Sequence, residues 1–238
     1  MKTKKLFFAA LISVMTGAAF AQTFTASIKD GRNNVRFESD APLENIVGTT
    51  NQVGATFMIN PSNIANNPKG KVVINLASLK TGIDLRDKHL KSEDYLNTGK
   101  YPNAEFMFSK LSSRSKRLDN AKPTKASATG KLTIHGVTKE ITVPVTLTYF
   151  KEDKNTVSKQ KGNLLRVKSS FEIKLSDYKI KVPQMLFYKL GETITITIDI
   201  VASDAGSMDG DNPCGPMACN PCGPKKSKNP CNPCGPRK

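Results

Sequence analysis

The chain has 238 residues, 38% of them hydrophobic and none of them tryptophan, a composition that fits one globular domain with some unstructured sequence added and excludes disorder throughout. Its 36 lysines and arginines outnumber 20 acids, for a formal net charge of +16. Past the N-terminal segment no apolar run approaches the ~20 residues of a membrane-spanning helix, so the mature chain is not expected to be integral to a bilayer.

The N-terminus combines Lys2, Lys4 and Lys5 with an apolar run from Leu6 to Ala19 and the small-residue pattern Ala19-Phe20-Ala21. The run is too short to span a membrane and ends in a cleavage pattern, so residues 1–21 are expected to be a secretory signal peptide cut after Ala21. No cysteine follows the cut, which argues against lipid anchoring. Removal takes three lysines and no acid, leaving the +16 chain at +13. The expected destination is periplasmic or secreted, where chromosomal nucleic acid is not a partner. There an excess of cations meets an anionic membrane surface, surface polymers or an anionic ligand, or serves solubility alone. Many of the cations, Lys110, Arg114, Lys116, Arg117, Lys122 and Lys125, then Lys151, Lys154, Lys159 and Lys161, read as loop residues.

From Asn34 to Ala202 apolar and polar residues alternate, the period of strands with one dry face. Val72, Ile74 and Leu76 form one such run, Leu132 and Ile134 another. Ile141, Val143, Val145, Leu147 and Tyr149 are interleaved with threonines and with Pro144, which suggests an edge or a bulge there. Phe171, Ile173 and Leu175 follow, then Ile194, Ile196, Ile198 and Ile200. Turn residues divide the body into about eight or nine strands. With few helices to cover a flat sheet, the economical architectures are a closed antiparallel barrel or a two-sheet sandwich, and closure removes exposed edges.

One segment breaks the pattern. Residues 84–96 show no alternation, Asp84 can cap a first turn, and Gly99 and Pro102 stop it, so a short helix is expected. Leu85, His89 and Leu96 fall near one face, which makes it a lid over one barrel end with His89 half-buried, or a gate for a ligand.

Catalytic sets are missing. The body has no cysteine, its only histidines are His89 and His135, and no Gly-x-Ser-x-Gly elbow surrounds a serine. Asp84, Asp87, Glu93 and Asp94 read as acids of a solvated helix. No enzyme activity and no required cofactor are expected.

Four motifs in order, Ser78-Leu79-Lys80-Thr81-Gly82, Arg86-Asp87-Lys88-His89-Leu90, Tyr101-Pro102-Asn103-Ala104-Glu105-Phe106 and the stretch from Gly130 to Lys139 that contains Thr133-Ile134-His135-Gly136, resemble the YceI-like polyisoprenoid-binding family of secreted bacterial proteins. The resemblance runs from about Phe24 to Ala202. It implies a lipocalin-like antiparallel barrel whose interior holds a long apolar chain, an isoprenoid or a fatty-acid derivative, and a periplasmic carrier or sequestering protein without catalysis. Residues 37–48 look like a variant branch of the family, and the segment from Asp177 to Glu192 keeps only the outline of the family's last hairpin. From alternation, Phe57, Ile74, Leu76, Phe106, Phe108, Ile134, Val143, Val145, Phe171, Ile173, Ile196 and Ile198 are expected to face the interior and are the candidate ligand contacts. The alternative is an envelope structural or interaction protein with a side-chain-filled barrel, acting through its basic loops or its C-terminus.

After the body, residues 22–203, residues 204–238 read as a linker and a disordered Cys/Pro-rich tail. Asn-Pro-Cys recurs four times, and Cys214, Cys219, Cys222, Cys231 and Cys234 include two Cys-x-x-Cys pairs. Prolines beside the thiols forbid helix and sheet ladders. Disulfides within or between chains, binding of a soft metal ion, and surface attachment all remain open for them.

Overall fold

The computed structural model describes residues 21–184 and 188–206; the segment expected to be a signal peptide, Ala21 apart, and the cysteine tail lie outside these. Ten strands form one antiparallel sheet: β1 (Gln22–Ala26), β2 (Asn34–Asp40), β3 (Asn45–Thr50), β4 (Val53–Ile59), β5 (Lys69–Asn75), β6 (Asn103–Ser112), β7 (Pro123–Ile134), β8 (Val137–Phe150), β9 (Leu164–Lys174) and β10 (Thr193–Ser203). Neighbours run β1-β4-β5-β6-β7-β8-β9-β10, and β10 returns to β1 through Thr25 opposite Ser203, so eight strands close a barrel. The remaining hairpin, β2–β3, pairs through β2 with residues 195–199 of β10. β1 and β2 thus lie in succession along one edge of β10, and β3 runs on into β4. The two extra strands arise because the first two staves of the barrel are each broken, which the sequence estimate of eight or nine did not separate.

Alternation sets the wall. Ile194 and Ile200 on β10, and Val143, Val145 and Leu147 on β8, are buried, while the intervening threonines point outward or are partly covered. β8 pairs with β7 from Val137 to Thr148 but with β9 only from Val145 onward. Pro144, which has no N–H to give, therefore sits where β8 becomes an edge. The β7–β8 turn places His135 at φ 50° and Gly136 at φ 72°, and a Cβ on Gly136 would stand 2.5 Å from the Tyr101 ring, so only glycine fits.

Antiparallel order sorts the connections. Those after β4, β6 and β8 lie at one end, the base; those after β2, β5, β7 and β9 lie at the other, the mouth. The base is plugged: Ile64 and Leu118 are buried, and the two loops that carry them bond to each other, Ile64 N–H to Lys116 O at 2.7 Å and Leu118 N–H to Pro61 O at 2.8 Å. Phe24, fully buried, meets Tyr149 edge to face. Each such core side chain contributes roughly 1.5–3 kcal/mol by leaving water.

The expected helix is shorter and differently capped. α1 spans Asp84–Lys91, and its N-cap is Ile83 with no side-chain bond. Asp84 is the first helical residue, where its charge favours the N-terminal end of the helix dipole. A single turn, α2 (Lys154–Val157), is closed by a capping box between Asp153 and Thr156. Of the basic residues read as loop residues, Lys110 and Lys125 stand on β6 and β7; all ten are exposed.

Candidate functional site: an apolar cavity with a polar mouth

The barrel interior holds a cavity of about 590 Å³, a size that suits a small-molecule ligand. All twelve side chains expected to face the interior line it: Phe57, Ile74, Leu76, Phe106, Phe108, Ile134, Val143, Val145, Phe171, Ile173, Ile196 and Ile198. The sequence reading missed other contributors. Val35, Phe37 and Ile46 come from the short β2–β3 hairpin, and Leu190 and Ile180 from the connection after β9. The signal for Val35 and Phe37 was their alternation with Arg36, brief but present.

Close packing shapes the wall. Gly70 on β5 lies opposite Phe108 on β6, and a Cβ there would come within 2.3 Å of the Phe108 ring. The absence of that methyl lets the ring lie across β5, where it reaches Phe57 at a centroid distance of 6.2 Å. A register shift between Phe108 and Lys110 marks a bulge in β6, a device that tightens strand curvature.

Polar groups gather at one end. Of the polar lining residues, Glu44, Thr81, Arg86, His89 and Lys189 belong to the mouth connections, while Glu105 and Ser169 come from the strands. Arg86 Nη1 donates to Glu44 Oε1 at 2.6 Å, its Nε donates to Thr81 Oγ1 at 3.0 Å and its Nη2 to Thr81 O at 3.1 Å. Thr81 in turn donates from its amide and its hydroxyl to Asp87, both at 2.7 Å. Asp87 is therefore not the solvated acid expected: it is 4% exposed, with Lys80 at 3.7 Å. The Thr81 hydroxyl bond above all, then the Thr81 amide and the charges of Lys80 and Lys91, hold its carboxyl below the ordinary value against burial. This chain of contacts ties α1 to the β2–β3 connection across the opening.

The lid expectation needs amendment. Leu85, His89 and Leu96 do border the cavity, but Leu85 and His89 are exposed. α1 turns Asp87 inward, because the buried carboxylate has its donors there, and that rotates Leu85 to the rim. A cluster of Leu76, Leu79, Ala104, Leu132, Ile134, Tyr178 and Ile180 closes the rest of this end. His135 borders it, Nδ1 at 3.3 Å from Tyr178 O and its ring 5.0 Å from that of Tyr101. Among the described residues no group of three or more His, Cys, Asp or Glu is placed to hold a metal ion. Cys214, Cys219, Cys222, Cys231 and Cys234 lie outside those residues, so the disulfide and soft-metal readings of the tail are not addressed.

Comparison with known proteins agrees with this geometry. A family model described as a YceI-like domain matches residues 27–202. Protein YceI of Escherichia coli is 35% identical over 136 residues, 57% of this chain and 64% of that protein, so the chain spans less than two thirds of that relative's length. A UPF0312 protein of Vibrio campbellii is 31% identical over 144 residues, 59% of this chain and 72% of its own. Among solved structures, Burkholderia cenocepacia BcnA aligns with a TM-score of 0.59 at 22% identity, over 72% of this chain and 97% of its own. A polyisoprenoid binding domain from Saccharophagus degradans aligns at 0.57 and 15%, over 77% and 98%. At these identities the two structures speak for the fold alone.

Proposed function

The chain belongs to the YceI-like domain family, and from that premise we propose that it is a periplasmic or secreted carrier that holds a long-chain apolar ligand, an isoprenoid or a fatty-acid derivative, in its barrel without catalysis. One observation carries the reading. A cavity of about 590 Å³ is lined by apolar side chains from around the barrel, and its charged lining groups, Glu105 apart, stand at the mouth. Such an interior rewards burial of a hydrocarbon chain and leaves a polar end at the opening. The polyisoprenoid binding domain of Saccharophagus degradans shares the fold and agrees with this class of ligand. The signal-peptide pattern ending at Ala21 supports export.

The test is extraction of purified mature protein into organic solvent and mass spectrometry of the extract. A stoichiometric long-chain lipid is expected. Clean protein that also takes up no added isoprenoid or fatty acid would return the barrel to the alternative of a filled scaffold acting through its surface.

A further inference from the structure

The mouth carries an apolar rim that the cavity itself does not use up. Leu43 is 74% exposed, Tyr188 65%, Leu85 62% and Ile83 52%. They come from three mouth connections that are fastened together: Leu43 N–H donates to Tyr188 O at 2.8 Å, and Glu44, next to Leu43, accepts from Arg86, next to Leu85, at 2.6 Å. Ile83 and Leu85 also line the cavity, so the rim is continuous with the interior through these two side chains. Large exposed apolar side chains grouped around an opening mark an interaction surface.

Charge separates this end from the other. The connections after β6 and β8, at the base, bring together Arg114, Lys116, Arg117, Lys122, Lys151, Lys154, Lys159 and Lys161 against Asp119, Glu152 and Asp153. At the mouth Lys80, Arg86, Lys88, Lys91, Lys100, Lys179, Lys181 and Lys189 meet Glu44, Asp84, Asp87, Glu93, Asp94, Asp177 and Glu192, eight cations against seven acids. The basic loops therefore face away from the opening, and the opening is close to neutral.

We propose that the protein docks mouth-first on a phospholipid bilayer, with Leu43, Ile83, Leu85 and Tyr188 seated among the headgroups. A nearly neutral, apolar rim matches a zwitterionic surface, where short apolar side chains and a tyrosine settle at the headgroup level and lysines beside them reach phosphates. A second copy is a poorer occupant: four side chains per protomer fall short of the ~1,600 Å² of a standard stable interface. The use of this docking, passing an apolar chain between bilayer and cavity without exposing it to water, rests on the carrier reading; the docking itself does not.

The experiment uses the full mature chain and vesicles of phosphatidylcholine, alone and with one quarter phosphatidylglycerol. Since the chain has no tryptophan, Tyr188→Trp supplies a single reporter at the rim. Expected are co-sedimentation with both vesicles, a blue shift of the indole emission in that variant, and at least a tenfold loss of binding in Leu43→Ser/Leu85→Ser, with Lys116→Glu/Arg117→Glu changing binding less than threefold. Circular dichroism melts of each variant, expected to match the parent, separate lost docking from lost folding. No sedimentation and no shift would overturn the proposal. So would binding abolished by the base variant but not the rim variant, or a dimer in light scattering that the rim variant splits. Mass spectrometry of the same protein keeps the two readings apart: an empty barrel that docks removes the carrier and keeps the docking, and a loaded barrel that ignores vesicles does the reverse.

Discussion

Asp87, in the first turn of α1, accepts two hydrogen bonds from a single residue, Thr81, one from the amide and one from the hydroxyl, each at 2.7 Å. The loop that leads into the helix is held to the helix by this pair. The carboxylate's value is lowered in the folded protein, first by the Thr81 hydroxyl, so the unfolded chain takes up its proton at higher pH. The stability Asp87 gives is thus fully present above its ordinary unfolded value of about 4 and is lost as pH falls through the lower folded value. Asp87→Ala, which leaves two donors unpaired, should cost about 1–3 kcal/mol at pH 7. Asp87→Asn should flatten the acid limb of stability below pH 4. Urea unfolding between pH 7 and 2.5 checks both; an acid limb unchanged in Asp87→Asn would place the transition on another carboxylate.

The side chains of this site were unequally legible in the sequence. The long staves from Val137 to Phe150 and from Thr193 to Ser203 announced their inward faces, because one dry side and one wet side leave a period of two over eleven residues or more. β1, β2 and β3 are five to seven residues each, too short for the period to stand out, so Val35, Phe37 and Ile46 were not assigned to the wall. α1 misled for a different reason. Apolar spacing turned Leu85 and His89 inward, yet the helix is oriented by Asp87 meeting Thr81 and Arg86 meeting Glu44, contacts between segments that no local pattern encodes.

Arg86 and Glu44 are the clasp between α1 and the β2–β3 connection. Both are partly exposed, 24% and 39% for the side chains, so the pair contributes less than ~1 kcal/mol to global stability. Its effect should be on the mouth. Arg86→Ala is expected to raise the release rate of a fluorescent fatty acid several-fold in stopped flow while the melting temperature moves by no more than a few degrees. Unchanged release would mean that the opening is gated elsewhere.

Ala128 is buried on β7, between Leu111 and Val143 in the ladder, and borders the cavity. Ala128→Phe puts a ring where a ligand chain would run. It should cost about 1–3 kcal/mol through overpacking and shift the lipids extracted from the barrel toward shorter chains. Mass spectrometry of wild type and variant prepared side by side reads this directly; an identical chain-length distribution in both would show that the cargo does not reach that part of the interior.

The tail should be dispensable for the barrel. The last stave ends at Ser203, whose hydroxyl donates to Lys161 O and whose position opposite Thr25 closes the barrel, and Asp204 fixes Asn163 through two bonds of 2.7 Å. Every one of these contacts survives a cut after Ser207. The body, residues 22–203, contains no cysteine that could be joined to the five between Cys214 and Cys234, and the Ser-Asp-Ala-Gly-Ser stretch between them has linker composition. Deleting Met208 to Lys238 is therefore expected to leave the melting temperature within about 2 °C and the bound lipid unchanged, and to remove all thiol or soft-metal chemistry, since any loop closed between cysteines of the tail stabilises only that loop. Thiol titration and zinc binding of the two forms, beside their melts and lipid extracts, make the comparison. A drop of many degrees or an emptied cavity in the truncated form would show that the tail is docked on the barrel and not an independent thiol-bearing appendage.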